Sequence, residues 1–271
     1  MRATVLALAL CAAPALVAAQ ADQTARLVDA LGMADMIEIL AEEGQSSAPS
    51  IAEGLFPDRQ TASWMTTVAD IYDPDVQLAA ISADMAEIIG DEDISAMLGF
   101  LESDAGQTIM QLELSARRAF SDPTVQEAAE EAWADGADIA PAKDALVRAF
   151  IDTNDLIDAN VEGAQKANIA FALGLIDGGA FPMSQPEALA EELYGGTEGM
   201  ARDTFDWLYS YLMTAYSPLE EATLADYVAL SETEAGAVVN AAIMGAFDAM
   251  FTRVSYDLGM AAAAIMIAQE L

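Results

Sequence analysis

Apolar residues recur at three- and four-residue intervals along most of the chain, the spacing of amphipathic helices and not of strands. From Gln23 onward, Leu27, Leu31, Met36, Ile37 and Leu40 share one face and predict a helix that ends at Glu42-Glu43-Gly44. A short helix is expected from Ser50 to Phe56, and after Pro57-Asp58 a segment carries Trp64, Met65, Val68, Ile71 and Tyr72. The longest uninterrupted pattern covers residues 141–176, with Leu146, Phe150, Ile157, Val161, Ala164, Phe171 and Leu175 near one stripe. Such a helix would extend roughly 50 Å at about 1.5 Å per residue, so it is expected to form a central spine flanked by partners. Asn168 falls beside the stripe, where a buried amide calls for a bond to a neighbouring helix or, alternatively, to a ligand.

The polar positions between these runs punctuate them. Asp73-Pro74, Ser121-Asp122-Pro123 and Ser184-Gln185-Pro186 each set a polar residue before a proline at a first helical position, where the missing N–H costs nothing. Ser217-Pro218-Leu219-Glu220 reads as a capping box, with the serine and glutamate satisfying each other's backbone N–H. Gly90, Asp135-Gly136, Gly178-Gly179 and Gly195-Gly196 follow helical runs and predict stops in the left-handed cap conformation.

One pattern occurs twice. The stretch from Asp93 to Gly106 returns from Thr223 to Gly236, with Glu102 matching Glu232, Ala105 matching Ala235 and Gly106 matching Gly236. Ile94 pairs in class with Leu224, Leu98 with Val228, Phe100 with Leu230, and Ser103 with Thr233. Each copy predicts a short helix, an N-cap at Ser103 or Thr233, and a second helix whose glycine lets the two approach closely. Phe100, Ser103, Gly106, Leu230, Thr233 and Gly236 are therefore the motif residues of hairpin repeats near residues 81–120 and 211–250.

The run Phe100-Leu101-Glu102-Ser103-Asp104-Ala105-Gly106-Gln107 resembles a family of exported bacterial proteins known only as domain of unknown function two-thousand-and-fifty-nine. Its pattern is an aromatic-containing helix end, then serine, a small residue or proline, glycine and a polar residue. Asp104 stands where proline is usual and Leu101 where an aromatic is common; the copy from Leu230 to Ala237 departs further. Residues 154–161 and 206–212 also resemble a branch of that family whose members carry signal peptides. The resemblance implies an exported helical protein and brings no catalytic residue with it.

Composition narrows the chemistry. The chain of 271 residues has 45 Asp+Glu against 10 Lys+Arg, no histidine and one cysteine, for a formal net charge of -35. Without imidazole there is no Ser-His-Asp or Cys-His site, no His ligand for zinc and no Glu-x-x-His di-iron motif. The charge opposes nucleic acid and anionic lipid surfaces, which need Lys and Arg clusters. With 54% hydrophobic residues the chain can bury a sizeable core and is not a disordered acidic tail.

The first 21 residues have the form of a secretory signal: Arg2, an apolar stretch from Thr4, and Ala19-Gln20-Ala21, with cleavage expected after Ala21 or, alternatively, Ala19. Cys11 leaves with it, so residues 22–271 are expected to form a disulfide-free all-α domain without a transmembrane helix, in a bacterial periplasm or medium.

No dinucleotide fingerprint, Walker loop, G-x-S-x-G elbow or S-x-x-K dyad occurs. Lys143 and Lys166 sit among acids on the long helical pattern and read as surface ion-pair partners. Asp152, Asp155, Asp158 and Glu162 recur at helical steps on one face, so they are candidates for ion binding, though a single helix presents ligands along a line and a solvated face explains them as well. The clusters Asp91-Glu92-Asp93 and Glu130-Glu131 take the same reading. Trp207 and Tyr211 belong to the densest aromatic group, read as core packing or as a ligand groove. Arg117 and Arg118 are the nearest approach to an anion site, with structural pairing to neighbouring acids expected.

These readings converge on an all-α bundle of two related hairpin repeats about a long central helix, behind a cleaved signal. No cofactor, metal site or catalytic residue is expected, and the function expected is non-catalytic binding or interaction with a protein or envelope partner. The alternatives are a carboxylate-dependent hydrolase of cell-envelope polymer, which needs two facing acids in a cleft and one of raised pKa, and weak divalent-cation binding by an acidic surface.

Overall fold

In a computed structural model of the chain, residues 13–56, 62–134, 140–181, 185–195 and 199–268 are described, with side chains from Asp22 onward. The first half of the expected signal, residues 1–12, and the stop at Asp135-Gly136 lie outside the described residues, as does Ser184. Residues 13–21 form the first part of a helix that continues past both expected cleavage positions.

Among the described residues every regular element is a helix. In chain order these are α1 (Ala13–Ala30), α2 (Met33–Leu55), α3 (Ala62–Ile71), α4 (Pro74–Ile89), α5 (Ser95–Leu101), α6 (Asp104–Phe120) and α7 (Pro123–Ala134). They continue as α8 (Pro141–Thr153), α9 (Leu156–Asp177), α10 (Pro186–Tyr194), α11 (Met200–Tyr216), α12 (Glu221–Ser231) and α13 (Glu234–Ile267). The caps explain many of the starts and stops. Asp73 accepts from the Val76 N–H at 3.0 Å and Asp122 from the Thr124 N–H at 2.9 Å. Gly90, Gly179 and Gly195 take positive φ after α4, α9 and α10.

Four expectations are corrected. First, the break near the N-terminus is at Leu31-Gly32, where Gly32 has φ 64°, and α2 runs on through Gly44 and Pro49. Gly44 stays within the helix, and its missing side chain makes room for the Tyr72 ring: a Cβ there would fall 2.2 Å from Tyr72 Cζ. The short helix expected from Ser50 is the end of α2. Second, residues 141–176 are two helices, α8 and α9, because Asp155 adopts φ 51°; Asn and Asp tolerate the left-handed region better than most residues. Asp152, Asp155, Asp158 and Glu162 therefore do not share one helix face, and the spine is elsewhere. Third, that spine is α13, whose 34 residues extend roughly 50 Å at about 1.5 Å per residue. It carries a buried stripe of Val239, Ala242, Ala246, Met250, Val254, Leu258 and Ala262. Fourth, the capping box at Ser217 does not form. Its hydroxyl donates back to Thr214 O at 3.1 Å, and Glu220 takes the position before α12. Lys143 instead closes the end of α11, its Nζ donating to the carbonyls of Ser217 at 2.7 Å and Leu219 at 2.8 Å, so it acts as a cap, and it has no ion pair among the described residues.

The packing is reciprocal. α4 lies on α13 while α11 lies on α6, and the short helices α5 and α12 meet between them, where Phe100 stacks on Tyr227 with centroids 5.6 Å apart. α13 also packs along α9 through glycines: a Cβ on Gly174 would come within 2.2 Å of Tyr256 O, and one on Gly259 within 2.2 Å of Phe171 O. Backbone meets backbone there. One hydrophobic cluster runs from Leu27 to Ala263 through both ends of the chain.

Two joints have matching geometry. At the end of α1, Leu31 N bonds Leu27 O at 2.9 Å, Gly32 N bonds Asp29 O at 3.0 Å and Met36 N bonds Gly32 O at 3.1 Å. At the end of α8, Asn154 N bonds Phe150 O at 3.2 Å, Asp155 N bonds Asp152 O at 3.2 Å and Ala159 N bonds Asp155 O at 3.1 Å. Each joint also receives a side-chain amide from a later helix: Gln107 Nε2 donates to Ala30 O at 2.9 Å, and Asn240 Nδ2 to Asn154 O at 3.0 Å.

Candidate functional site

The six motif residues form two turns of the same construction. Ser103 Oγ accepts from Gly106 N at 3.2 Å and donates to Phe100 O at 2.6 Å. Thr233 Oγ1 accepts from Gly236 N at 3.1 Å and donates to Leu230 O at 2.6 Å. A Cβ at Gly106 would lie 2.2 Å from Phe100 O, and one at Gly236 lies 2.3 Å from Leu230 O. Both glycines are buried where α5 meets α6 and α12 meets α13, and none of the six residues lines a hollow described below.

Trp207 and Tyr211 stack with centroids 5.3 Å apart, Phe120 meets both edge-on, and the Arg117 guanidinium lies 5.4 Å from the Trp207 ring centre. Arg117 also pairs with Glu43, which accepts from Ser121 Oγ at 2.8 Å, while Arg118 lies 3.8 Å from Asp35. The arginines are thus paired with acids of α2. Lys166 pairs with Glu162 at 3.0 Å and Asp248 at 3.3 Å. Asp93 accepts from Ser95 N at 3.0 Å before α5. Among the described residues no three carboxylates converge as a metal site would require.

One acid escaped the sequence reading. Glu113 accepts the Tyr216 hydroxyl at 2.6 Å, and its backbone carbonyl accepts the Tyr211 hydroxyl at 3.1 Å, which ties α6 to α11. Burial pushes its carboxyl up to about 7, against the opposing pull of the Tyr216 bond. Burial likewise raises Tyr211, Tyr216 and Tyr227 well above the ordinary phenol range, and the Glu113 charge adds to each. The helical step would have found Glu113: it lies four residues after buried Ile109 and three after buried Met110, on the inner face of α6.

Concave surface is concentrated around α9. A hollow of about 490 Å³ lies between α7, α8 and α11, lined by Glu130, Trp133, Arg148, Asp206 and Tyr209. A second of about 570 Å³ shares Glu130 and Asp206 with it and reaches Asn160 and Ala164 on α9. A third of about 360 Å³ shares Asn160 and Ala164 and is walled by Met244, Phe247, Asp248 and Phe251 of α13. A fourth of about 530 Å³ continues from Asn168 toward Glu187 and Tyr194 of α10. Each hollow shares lining residues with the next, and three of them are bordered by α9; this row of hollows is termed the trough. Asn168 thus faces the trough, and the buried amide at a helix joint is Asn154. Glu113 lines none of these hollows.

At the trough's first end, Asp144 is held below the usual carboxylate range, chiefly by the Tyr209 hydroxyl donating at 2.5 Å and also by Arg148 at 2.9 Å. Arg148 lies 4.7 Å from the Tyr209 ring centre and 5.3 Å from that of Phe205, so this corner is a built network. At the far side, Asp248 Oδ1 is closed off from water and has no hydrogen-bond partner.

Among the described residues, α13 alone is long and apolar enough to cross a membrane by length and composition. Its buried stripe packs on α4 and α9.

A family model described as "Uncharacterized protein conserved in bacteria (DUF2059)" matches residues 86–135, from the last turn of α4 through α7. The first hairpin, with the Phe100 to Gln107 run, falls inside that match. No curated protein matches the chain, and no solved structure does.

Proposed function

We propose that the chain is an exported bacterial protein with a non-catalytic binding role in the periplasm, and that the trough on α9 is its binding surface. The observation that carries this reading is the division of labour among the side chains. The hairpin motif, the α6 arginines paired with acids of α2, Lys143 and Glu113 hold helices together, whereas the trough collects amides, carboxylates and aromatic edges that no helix covers. A hydrolase needs a raised acid facing a second acid in its cleft, and the acid pushed up here lies outside the trough.

We further propose that the molecule is a tandem duplication, α1–α6 and α8–α13, with α7 as the connection. The hairpin repeat supports this, and so do the matched joints at Gly32 and Asp155 and the reciprocal packing of α4 on α13 and α11 on α6. Cleavage after Ala21 leaves Leu27 and Val28 in place in the core and keeps the Arg26–Glu102 ion pair.

The test is expression of the full chain in a bacterium, with N-terminal sequencing of the periplasmic form and crosslinking before purification. A chain starting at Asp22 or Gln20 that retains a partner at defined stoichiometry is expected. An uncleaved cytoplasmic chain, or purified protein that releases sugar or peptide from envelope polymer, overturns the reading.

A further inference from the structure

The trough has a chemistry of its own. Its floor from Asn160 to Asn168 covers about 12 Å at about 1.5 Å per residue, two turns of a docked helix. Gly163, Ala164 and Ala167 keep that floor low, and the stacked rings of Phe247 and Phe251, 6.2 Å apart, give it an apolar wall. Along the rims stand Glu130, Asp203, Asp206 and Asp248. The cations that line it, Arg148 and Arg202, are at one end and are engaged, with Asp144 at 2.9 Å and Asp206 at 3.7 Å, and Lys166 beside the α13 wall is engaged with Glu162 at 3.0 Å and Asp248 at 3.3 Å.

The matching joints give the register between α2 and α9. With Gly32 set on Asp155, Asn160 stands where Ile37 is and Ala164 where Ala41 is. Ile37 and Ala41 are buried in the core, whereas Asn160 and Ala164 are exposed. The same helical face is therefore sealed in the first half and open in the second. An amide replaces an isoleucine at its edge, which suits a surface that must be wet when empty.

We propose that this trough docks a basic amphipathic segment of a partner protein, seating apolar side chains on Ala164 and Phe251 and lysines or arginines on Glu130, Asp203 and Asp206, Asp248 being already paired with Lys166. This rests on the interaction reading above. Charge complementarity selects the occupant: the chain's charge of -35 repels an acidic segment, and the carboxylate rims steer a basic one. An amphipathic helix in a groove is a standard mode of recognition, with anchors three and four residues apart.

The test is fluorescence anisotropy with a labelled peptide of Leu and Lys, patterned to give one apolar helical face, at about 0.15 M salt, where the screening length is about 8 Å. Saturable one-to-one binding is expected. Ala164→Trp, at an exposed position, and the pair Glu130→Gln/Asp206→Asn should each weaken it at least tenfold without changing the melting temperature. The charge-matched control Glu53→Gln/Asp75→Asn, at exposed positions on α2 and α4, should leave binding unchanged. Equal weakening by the control, equal affinity for a scrambled peptide or for spermidine, or indifference to Ala164→Trp overturns the proposal. A periplasmic partner crosslinked equally by wild-type and Ala164→Trp proteins overturns the trough and leaves the interaction reading standing. A wild-type protein that captures no partner overturns that reading itself, while the peptide assay still decides the trough.

Discussion

Replacing Gly106 by alanine measures what the repeated turn contributes. The added Cβ would sit 2.2 Å from Phe100 O, 2.7 Å from Leu101 Cα and 2.8 Å from Leu101 O, all backbone atoms of α5 that cannot rotate away. Contact distances near 3.4 Å would be restored only if α5 withdrew from α6 by about 1 Å. Such a shift strains the Ser103 cap, worth about 1 kcal/mol, and the Phe100–Tyr227 stack, worth about 0.5–1.5 kcal/mol. Overpacking itself costs about 1–3 kcal/mol, and alanine returns about 1 kcal/mol of helix propensity. The net expectation is a loss of about 2–3 kcal/mol, or roughly 4–12 °C in melting temperature at about 2–4 °C per kcal/mol for a chain of this size. Gly99→Ala is the matched control: Gly99 lies in α5, and no atom comes within 4 Å of its Cβ position. It should raise the melting temperature by about 2 °C through helix propensity alone. Calorimetry of the two variants at one salt concentration decides the matter. A Gly106→Ala protein that melts within 1 °C of wild type would refute close approach as the reason for this glycine.

The same reasoning applies to the contact of α9 with α13, where Gly174→Ala should lower stability by about 2–3 kcal/mol in urea unfolding. A midpoint unchanged from wild type would mean that the two backbones are not in contact. Glu113 sets a pH dependence. Its folded-state pKa of about 7 lies above the ordinary carboxyl value of 4.5, so its contribution is fully present below about pH 4.5 and lost as pH rises through 7. Glu113→Gln should therefore melt close to wild type at pH 4.5 and gain about 2 kcal/mol over it at pH 8, the part-exposed side chain keeping the figure below the full shift. A melting difference that stays flat between those values contradicts the burial argument. Lys143→Met removes two bonds to the carbonyls that end α11 and should cost about 1–2 kcal/mol, read by thermal melting, with Lys143→Arg recovering part of it. Added NaCl should raise the melting temperature of this chain by screening its charge of -35, and a fall would show that its ion pairs outweigh that repulsion.

Local grammar was readable without coordinates, and long-range packing was not. The caps at Asp73, Ser103 and Thr233 and the stops at Gly90, Gly179 and Gly195 depend on a few neighbouring residues and formed in place, although ψ of -126° at Gly90 and -177° at Gly195 puts those two outside the left-handed cap conformation expected of them. Gly44 broke the rule: the Tyr72 ring occupies the place of its missing side chain, a contact that no window of α2 contains. The joint at Asp155 was hidden because apolar spacing continues across it, although Asn154-Asp155 is a pair that can turn left-handed. Lys143 was read by its charged neighbours, whereas its partners are two carbonyls more than seventy residues away. Tyr211 is buried and Trp207, stacked on it, lines the second hollow, which Asn160, Ala164 and Asp206 also line, while Asp248 lines the next with Asn160 and Ala164. Each of these last four, Asn160, Ala164, Asp206 and Asp248, looks ordinary on its own helix.

The crossing of α4 onto α13 and of α11 onto α6 also sets the order in which the molecule can be completed. When the first half has been synthesised, the faces of α4 and α6 that will be covered by the second half still lack their covering. Their partners, α13 and α11, are among the last helices made. Non-local contacts of this kind are slow to form, since loop closure precedes the contacts that reward it. A nascent chain with this wiring keeps those faces of α4 and α6 uncovered until α11 and α13 have been made.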